Sequence, residues 1–120
     1  MSTGTTDALS LRERLRAALS TAMKARDRRT VGVLRATLAA IDNAESVDIG
    51  EHRAGAVEAS AVGPGAAEVA RRELTEADIA DIVRAEITER TESADTYDRA
   101  GRPDRAAELR IEADTLAAFL

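Results

Sequence analysis

Gly101 and Pro103, inside the stretch YDRAGRPDRA (residues 97–106), leave the last third of this chain one way to fold. Glycine tolerates the left-handed backbone that ends a helix at the position after its cap. Proline is pre-set for the first position of the next helix, where its missing N–H costs nothing. Asp104 then favours the positive end of that helix. Apolar residues recur at three and four on both sides of the break. Before it come Ile79, Ile82, Val83 and Ile87; after it come Ala106, Leu109, Ala113, Leu116 and Leu120. Two helices joined so briefly must run antiparallel.

The same period governs the N-terminal part. Ser10 and Glu13 are spaced as a capping box, the serine oxygen accepting from the Glu13 N–H and the carboxylate reaching back. Leu11, Leu15, Ala18, Leu19 and Ala22 follow on one face. The run fades at Lys24–Arg26, and Asp27 is a good N-cap for a second helix. Its stripe is Val31, Leu34, Leu38 and Ile41, ending near residues 43–46. Thr75 and Asp78 form a second capping box, with Leu74 placed to staple onto Ile79. The expected fold is therefore a single small all-α domain of about four main helices in antiparallel hairpins. Residues 1–8 are expected to be a flexible N-terminus. Residues 47–73 carry Gly50, Gly55, Gly63 and Gly65 around Pro64 with no persistent apolar period, and are read as a long, mobile central loop or insertion.

Composition limits what such a domain can do. The aromatics are Tyr97 and Phe119, so the core must be built from Leu, Ile, Val and Ala. The chain has no cysteine, which excludes disulfides and thiolate metal sites. His52 is the single histidine and lies in the glycine-rich segment, a poor basis for a transition-metal site or a triad. No nucleophile elbow, phosphate-binding loop or dinucleotide fingerprint is present. The carboxylates between Asp78 and Asp98 are interleaved with Arg84, Arg90 and Arg99, which reads as a solvated, ion-paired surface. No catalytic, metal or cofactor residues are expected. MSTGTTD has no basic region leading into an apolar run, and no stretch approaches the ~18 apolar residues of a membrane span. The expectation is a soluble cytoplasmic protein that makes no membrane contact. Sixteen arginines against one lysine suit a high-GC bacterial genome.

Charge is unevenly placed. Residues 12–35 hold eight bases against Glu13 and Asp27, a net +6, whereas the rest hold nine bases and twenty acids, a net −11. An acidic whole does not attract nucleic acid non-specifically, but a basic segment can do so locally. The plainer reading is that the two blocks face each other within the fold or are simply solvated. Further on, Glu86, Arg90, Ser93 and Tyr97 are spaced four, three and four apart, so they share one helical face. That face is either a contact surface for RNA or a partner, or a local arrangement in which Glu86 and Arg90 pair while Tyr97 plugs the hairpin.

The chain resembles the GatB/YqeY family. The resemblance is carried by Ala22-Met23-Lys24-Ala25-Arg26-Asp27 with Leu34-Arg35, and by Leu74-Thr75-Glu76 opening a helix. Arg90, Ser93-Ala94, Tyr97, Ala100-Gly101-Arg102 and the closing segment from Glu112 to Leu120 complete it. It covers nearly the whole chain outside residues 1–8 and the central segment. It implies an all-helical domain corresponding to the family's N-terminal part, with Leu120 where the family's tail domain begins. It also implies carbon–nitrogen ligase activity with glutamine as amido-N-donor, through kinship with the B subunit of the tRNA-dependent amidotransferase. The implied partners are tRNA and amidotransferase subunits. Amide transfer needs a nucleophile to release ammonia and a site to activate a carboxylate, and the chain shows neither. The expected role is accessory. Arg12, Arg16, Lys24, Arg26, Arg28 and Arg29 would then face phosphates, with Arg90, Ser93 and Tyr97 as secondary contacts. The competing class is a non-enzymatic helical interaction module that docks a protein partner or a second copy through its polar face or the Phe119–Leu120 end.

Overall fold

A computed structural model describes the backbone of residues 9–60 and 73–120, and the side chains of residues 9–46 and 73–120. Among the described residues there are four helices and no strand: α1 (Leu11–Ala25), α2 (Arg28–Ser60), α3 (Glu76–Arg99) and α4 (Pro103–Ala117). They form an all-α domain of two hairpins, α1–α2 and α3–α4. Both hairpins are antiparallel, because cross-helix partners ascend on one helix as they descend on the other. Asp98 and Asp95 meet Arg110, and Arg90 meets Glu112. Met23 meets Arg35, and Arg12 meets Glu45.

Local chemistry sets each end. Ser10 Oγ accepts from Glu13 N–H at 3.1 Å while Glu13 Oε1 accepts from Ser10 N–H at 2.9 Å. Thr75 and Asp78 repeat the arrangement at 3.0 Å in both directions. Both corners are Schellman turns. In the second, Arg102 N–H donates to Tyr97 O and Gly101 N–H to Asp98 O, with Gly101 at φ 77°. In the first, Asp27 N–H donates to Ala22 O and Arg26 N–H to Met23 O, with Arg26 at φ 59°. Asp27 then caps α2, both its oxygens being taken by the Thr30 N–H and hydroxyl.

The hairpins meet in one apolar core. Leu11 and Leu15 of α1, Val33, Leu34 and Ile41 of α2, Ile79 and Val83 of α3 and Leu116 of α4 are buried in it. Leu74 packs on this cluster, as a staple requires, and so does Phe119. Leu120 does not complete the α4 stripe; it lies beyond the last helical turn and is 52 % exposed. Near the α3–α4 corner Ala94, Ala106 and Leu109 form a second, smaller cluster in which two alanines let the helices close. Thr37 is wholly buried within α2 and donates to Val33 O at 2.9 Å, so its hydroxyl is satisfied and its methyl packs.

One boundary departs from the sequence expectation. α2 continues through residues 47–60, which were expected to belong to the central loop. Gly50 and Gly55 each weaken a helix by roughly 1 kcal/mol relative to alanine, but neither removes a hydrogen bond. The first residue that would is Pro64, and the intervening alanines and glutamates favour helix. The remainder of that segment, residues 61–72, and the N-terminal residues 1–8 lie outside the described residues.

Candidate nucleic-acid interface

The two halves of the charge distribution behave differently. In the α3–α4 hairpin most arginines are engaged: Arg99 donates only to the Thr96 hydroxyl, and Arg102 is exposed and makes no ion pair among the described residues, but the others meet carboxylates. Arg90 donates from Nε to Glu112 at 3.2 Å and from Nη1 to Glu86 Oε1 at 3.0 Å and to its carbonyl at 3.1 Å. Arg105 pairs with Glu108, and Arg110 with Asp95 and Asp98 at 3.0 and 2.7 Å. These contacts favour the charged guanidinium and raise the pKa of both: Arg105 chiefly through its hydrogen bond to Glu108, Arg110 through those to Asp98 and Asp95.

In the α1–α2 hairpin most cations have no such partner. Arg12 pairs with Glu45 at 3.0 Å, although its N–H directions miss a well-formed hydrogen bond, and Arg14 donates to Phe119 O. Arg16, Lys24, Arg26, Arg28 and Arg29 are exposed and make no ion pair among the described residues. Of the two plainer readings of the charge blocks, these five follow the second: they are exposed to solvent and do not pair across the fold, whereas Arg12 does pair across it. Asp27 sits among them and makes no ion pair with them. Its oxygens accept from the Thr30 hydroxyl and N–H, which chiefly hold the carboxyl below its ordinary range, and the charge it keeps is felt through space by Arg29.

The corner gathers some of these groups. Arg26 and Arg28 share an open cleft of about 620 Å³ with Arg35, Met23, Val31 and Gly32. Arg35 reaches back across the hairpin, its Nη2 3.9 Å from Met23 Sδ. Arg16 and Arg12 stand elsewhere on α1, and Arg29 and Lys24 flank the corner without lining the cleft.

Arg90, Ser93 and Tyr97 do come together, as their spacing predicts. They line a separate groove of about 350 Å³ where α3 and α4 meet α2, with Glu86, Arg105, Leu109 and Ala36 of α2 also in its wall. Arg90 is 12 % exposed and Glu86 18 %, so the pairing half of the sequence reading is realised. Tyr97 is 36 % exposed beside Leu109, partly covering the hairpin and partly open to water. Four cleft residues, Met23, Val31, Gly32 and Arg35, are not among the site residues the sequence points to. The available signal was geometric: in an antiparallel pair joined at residues 26–27, positions 23 and 35 lie near one another.

Among the described residues no group of three or more His, Asp or Glu side chains could hold a metal ion. No helix among them is long and apolar enough to cross a membrane. What fold and surface define is an all-α, double-hairpin domain with a cationic first corner and an ion-paired second hairpin. The chain belongs to the Yqey-like protein family, whose model matches residues 12–120. Comparison with the curated proteins finds no match, and neither does comparison with the solved structures.

Proposed function

We propose that this chain is an RNA-contacting accessory module of glutamine-dependent carbon–nitrogen ligation, working beside tRNA-dependent amidotransferase subunits without chemistry of its own. The observation that carries this reading is the contrast between hairpins. Arg16, Lys24, Arg26, Arg28 and Arg29 stand unpaired on one, while Arg90, Arg105 and Arg110 are held by carboxylates on the other. Unpaired, exposed arginines offer planar donor forks matched to phosphate oxygens. The acidic second hairpin would repel the same polyanion, so contact would be confined to the first and its orientation fixed. Arg12 and Arg90 are already engaged and would support the surface rather than touch phosphates.

The test is a tRNA titration followed by fluorescence anisotropy at two salt concentrations. Binding should be clear near 50 mM salt and fall steeply toward about 200 mM, because each neutralised phosphate releases counterions. No binding at the lower salt would sink the proposal.

A further inference from the structure

The first corner carries two residues that are each the less stable choice for their backbone position. Arg26 adopts φ 59° at the place where the otherwise equivalent second corner uses Gly101 at φ 77°. A side chain there is crowded against its own carbonyl, and glycine relieves it. Six residues on, Gly32 occupies the interior of α2, where alanine holds a helix better. Nothing in the fold asks for that glycine. A Cβ built on it meets no atom within 4 Å, so no neighbouring helix needs the space. Stability alone would place glycine at 26 and a larger residue at 32. Both exceptions line the same cleft, together with Arg28, Arg35, Met23 and Val31.

The two exceptions have complementary chemical effects. Arg26 trades backbone comfort for a guanidinium at the mouth of the cleft. Gly32 bares a strip of helix backbone in the cleft wall, over which a flat group can lie. Met23, 49 % exposed, and Val31 supply apolar surface beside that strip, the thioether being soft and adaptable. Arg35, held against Met23 Sδ, presents a planar cation to the same space. A flat uncharged ring bearing an anionic group satisfies all of these features together. A carboxylate side chain would use the arginines and leave the apolar strip without purpose.

We propose that the α1–α2 corner cleft seats one unpaired nucleotide of an RNA strand, its phosphate on Arg26 and Arg28 and its base over Gly32 between Met23, Val31 and Arg35. The inference rests on the RNA-contact reading above and adds a preference that a flat cationic face would not have. Duplex carries the denser phosphate charge, so an undifferentiated basic patch favours duplex. A seat for a base requires a base free of its partner.

The experiment titrates the full chain, near 50 mM salt, against a short fluorescein-labelled single-stranded RNA, the same strand annealed to its complement, and a labelled polyglutamate peptide. The wild type should bind the single strand roughly two- to fivefold more tightly than the duplex, the scale of one base lying against an exposed guanidinium. Gly32→Leu should abolish that preference while leaving duplex binding unchanged and thermal stability equal or higher. Gly32→Ala, the smaller intrusion, should fall between. Arg28→Gln should weaken both RNAs. RNA binding without a strand preference, or a preference that survives Gly32→Leu, overturns the cleft while leaving the broader RNA reading intact. Polyglutamate bound with neither RNA bound overturns both and makes the cleft a docking site for an acidic protein segment.

Discussion

Replacing Arg90 with methionine should destabilise the domain more than any single change to its exposed ion pairs. Its guanidinium makes three hydrogen bonds, and it, Glu86 and Glu112 are only 12 %, 18 % and 16 % exposed. An exposed pair contributes about 0.2–1 kcal/mol, whereas breaking a fully buried one costs about 3–5 kcal/mol. This network lies nearer the buried limit but keeps some solvent. After the substitution Glu86 has no cation within reach, while Glu112 retains Arg105 at 3.7 Å. A loss of about 2–3 kcal/mol follows, most of it the desolvation of the stranded Glu86. For a chain of this length that lowers Tm by roughly 8–12 °C.

Urea melts of Arg90→Met, Glu112→Leu and the double variant would yield the pair's coupling, expected at about 1 kcal/mol. The triple variant that adds Glu86→Leu should recover most of the loss, since removing every charge together leaves none stranded. A cost below about 1 kcal/mol for Arg90→Met, or a triple variant no better than the single, would mean that water screens these groups and the network is a surface feature.

Other outcomes follow from the helix ends. Gly101→Val should cost about 2 kcal/mol, because a β-branched residue strains at φ 77°; unchanged thermal unfolding would show that the corner relaxes to another turn. Arg26→Gly should stabilise by about 0.5–1 kcal/mol in chemical denaturation, the strain relief exceeding the added freedom of the unfolded chain; a destabilised variant would place Arg26 in a packing role. Glu13 and Asp27 have pKa values lowered from 4.5 and 3.8 by their cap hydrogen bonds to Ser10 and Thr30. A carboxylate with a depressed folded-state pKa adds stability above its unfolded value and loses it as pH falls through the lower, folded value. Tm should therefore drop below about pH 4, and Asp27→Asn, which still caps, should shallow that acid limb; an identical slope would remove Asp27 from the linkage.

The sequence disclosed the features that rest on neighbours along the chain. Both capping boxes, the Gly101–Pro103 corner and most of the core stripes need only i,i+3 and i,i+4 reasoning, and the structure has them; the exceptions are Leu120, which is exposed, and Val31, which lines the cleft while Val33 is buried in the core. The α3 stripe thins after Ile87 in the sequence, yet Ala94 is fully buried, because a methyl group suffices where Ala106 faces it from another helix. Thr37 was invisible as a core residue since its hydroxyl is satisfied by Val33 O, a bond that exists only once the helix has formed. The extent of α2 is hidden for a different reason: glycine lowers helix stability without forbidding helix, so Gly50 and Gly55 mark no boundary.

The cleft shows most sharply where such reasoning stops. Arg26 and Arg28 could be named from local basicity, but their relation to Arg35 and Met23 is set by the hairpin register and by the Arg26 backbone turn. The meaning of Gly32 needed both the helix that contains it and the empty space above it. A glycine in a helix interior is otherwise explained by a neighbour that would clash with a Cβ, and that explanation is excluded at this position. What remains is a site at which stability has been given up twice within seven residues, at 26 and at 32, beside arginines that no carboxylate in the described residues holds. A single exception of this kind persists in any domain that stays above its stability threshold; it is the placing of both on one cleft, where strain of this sort gathers at functional sites, that motivates the proposal of a seated nucleotide.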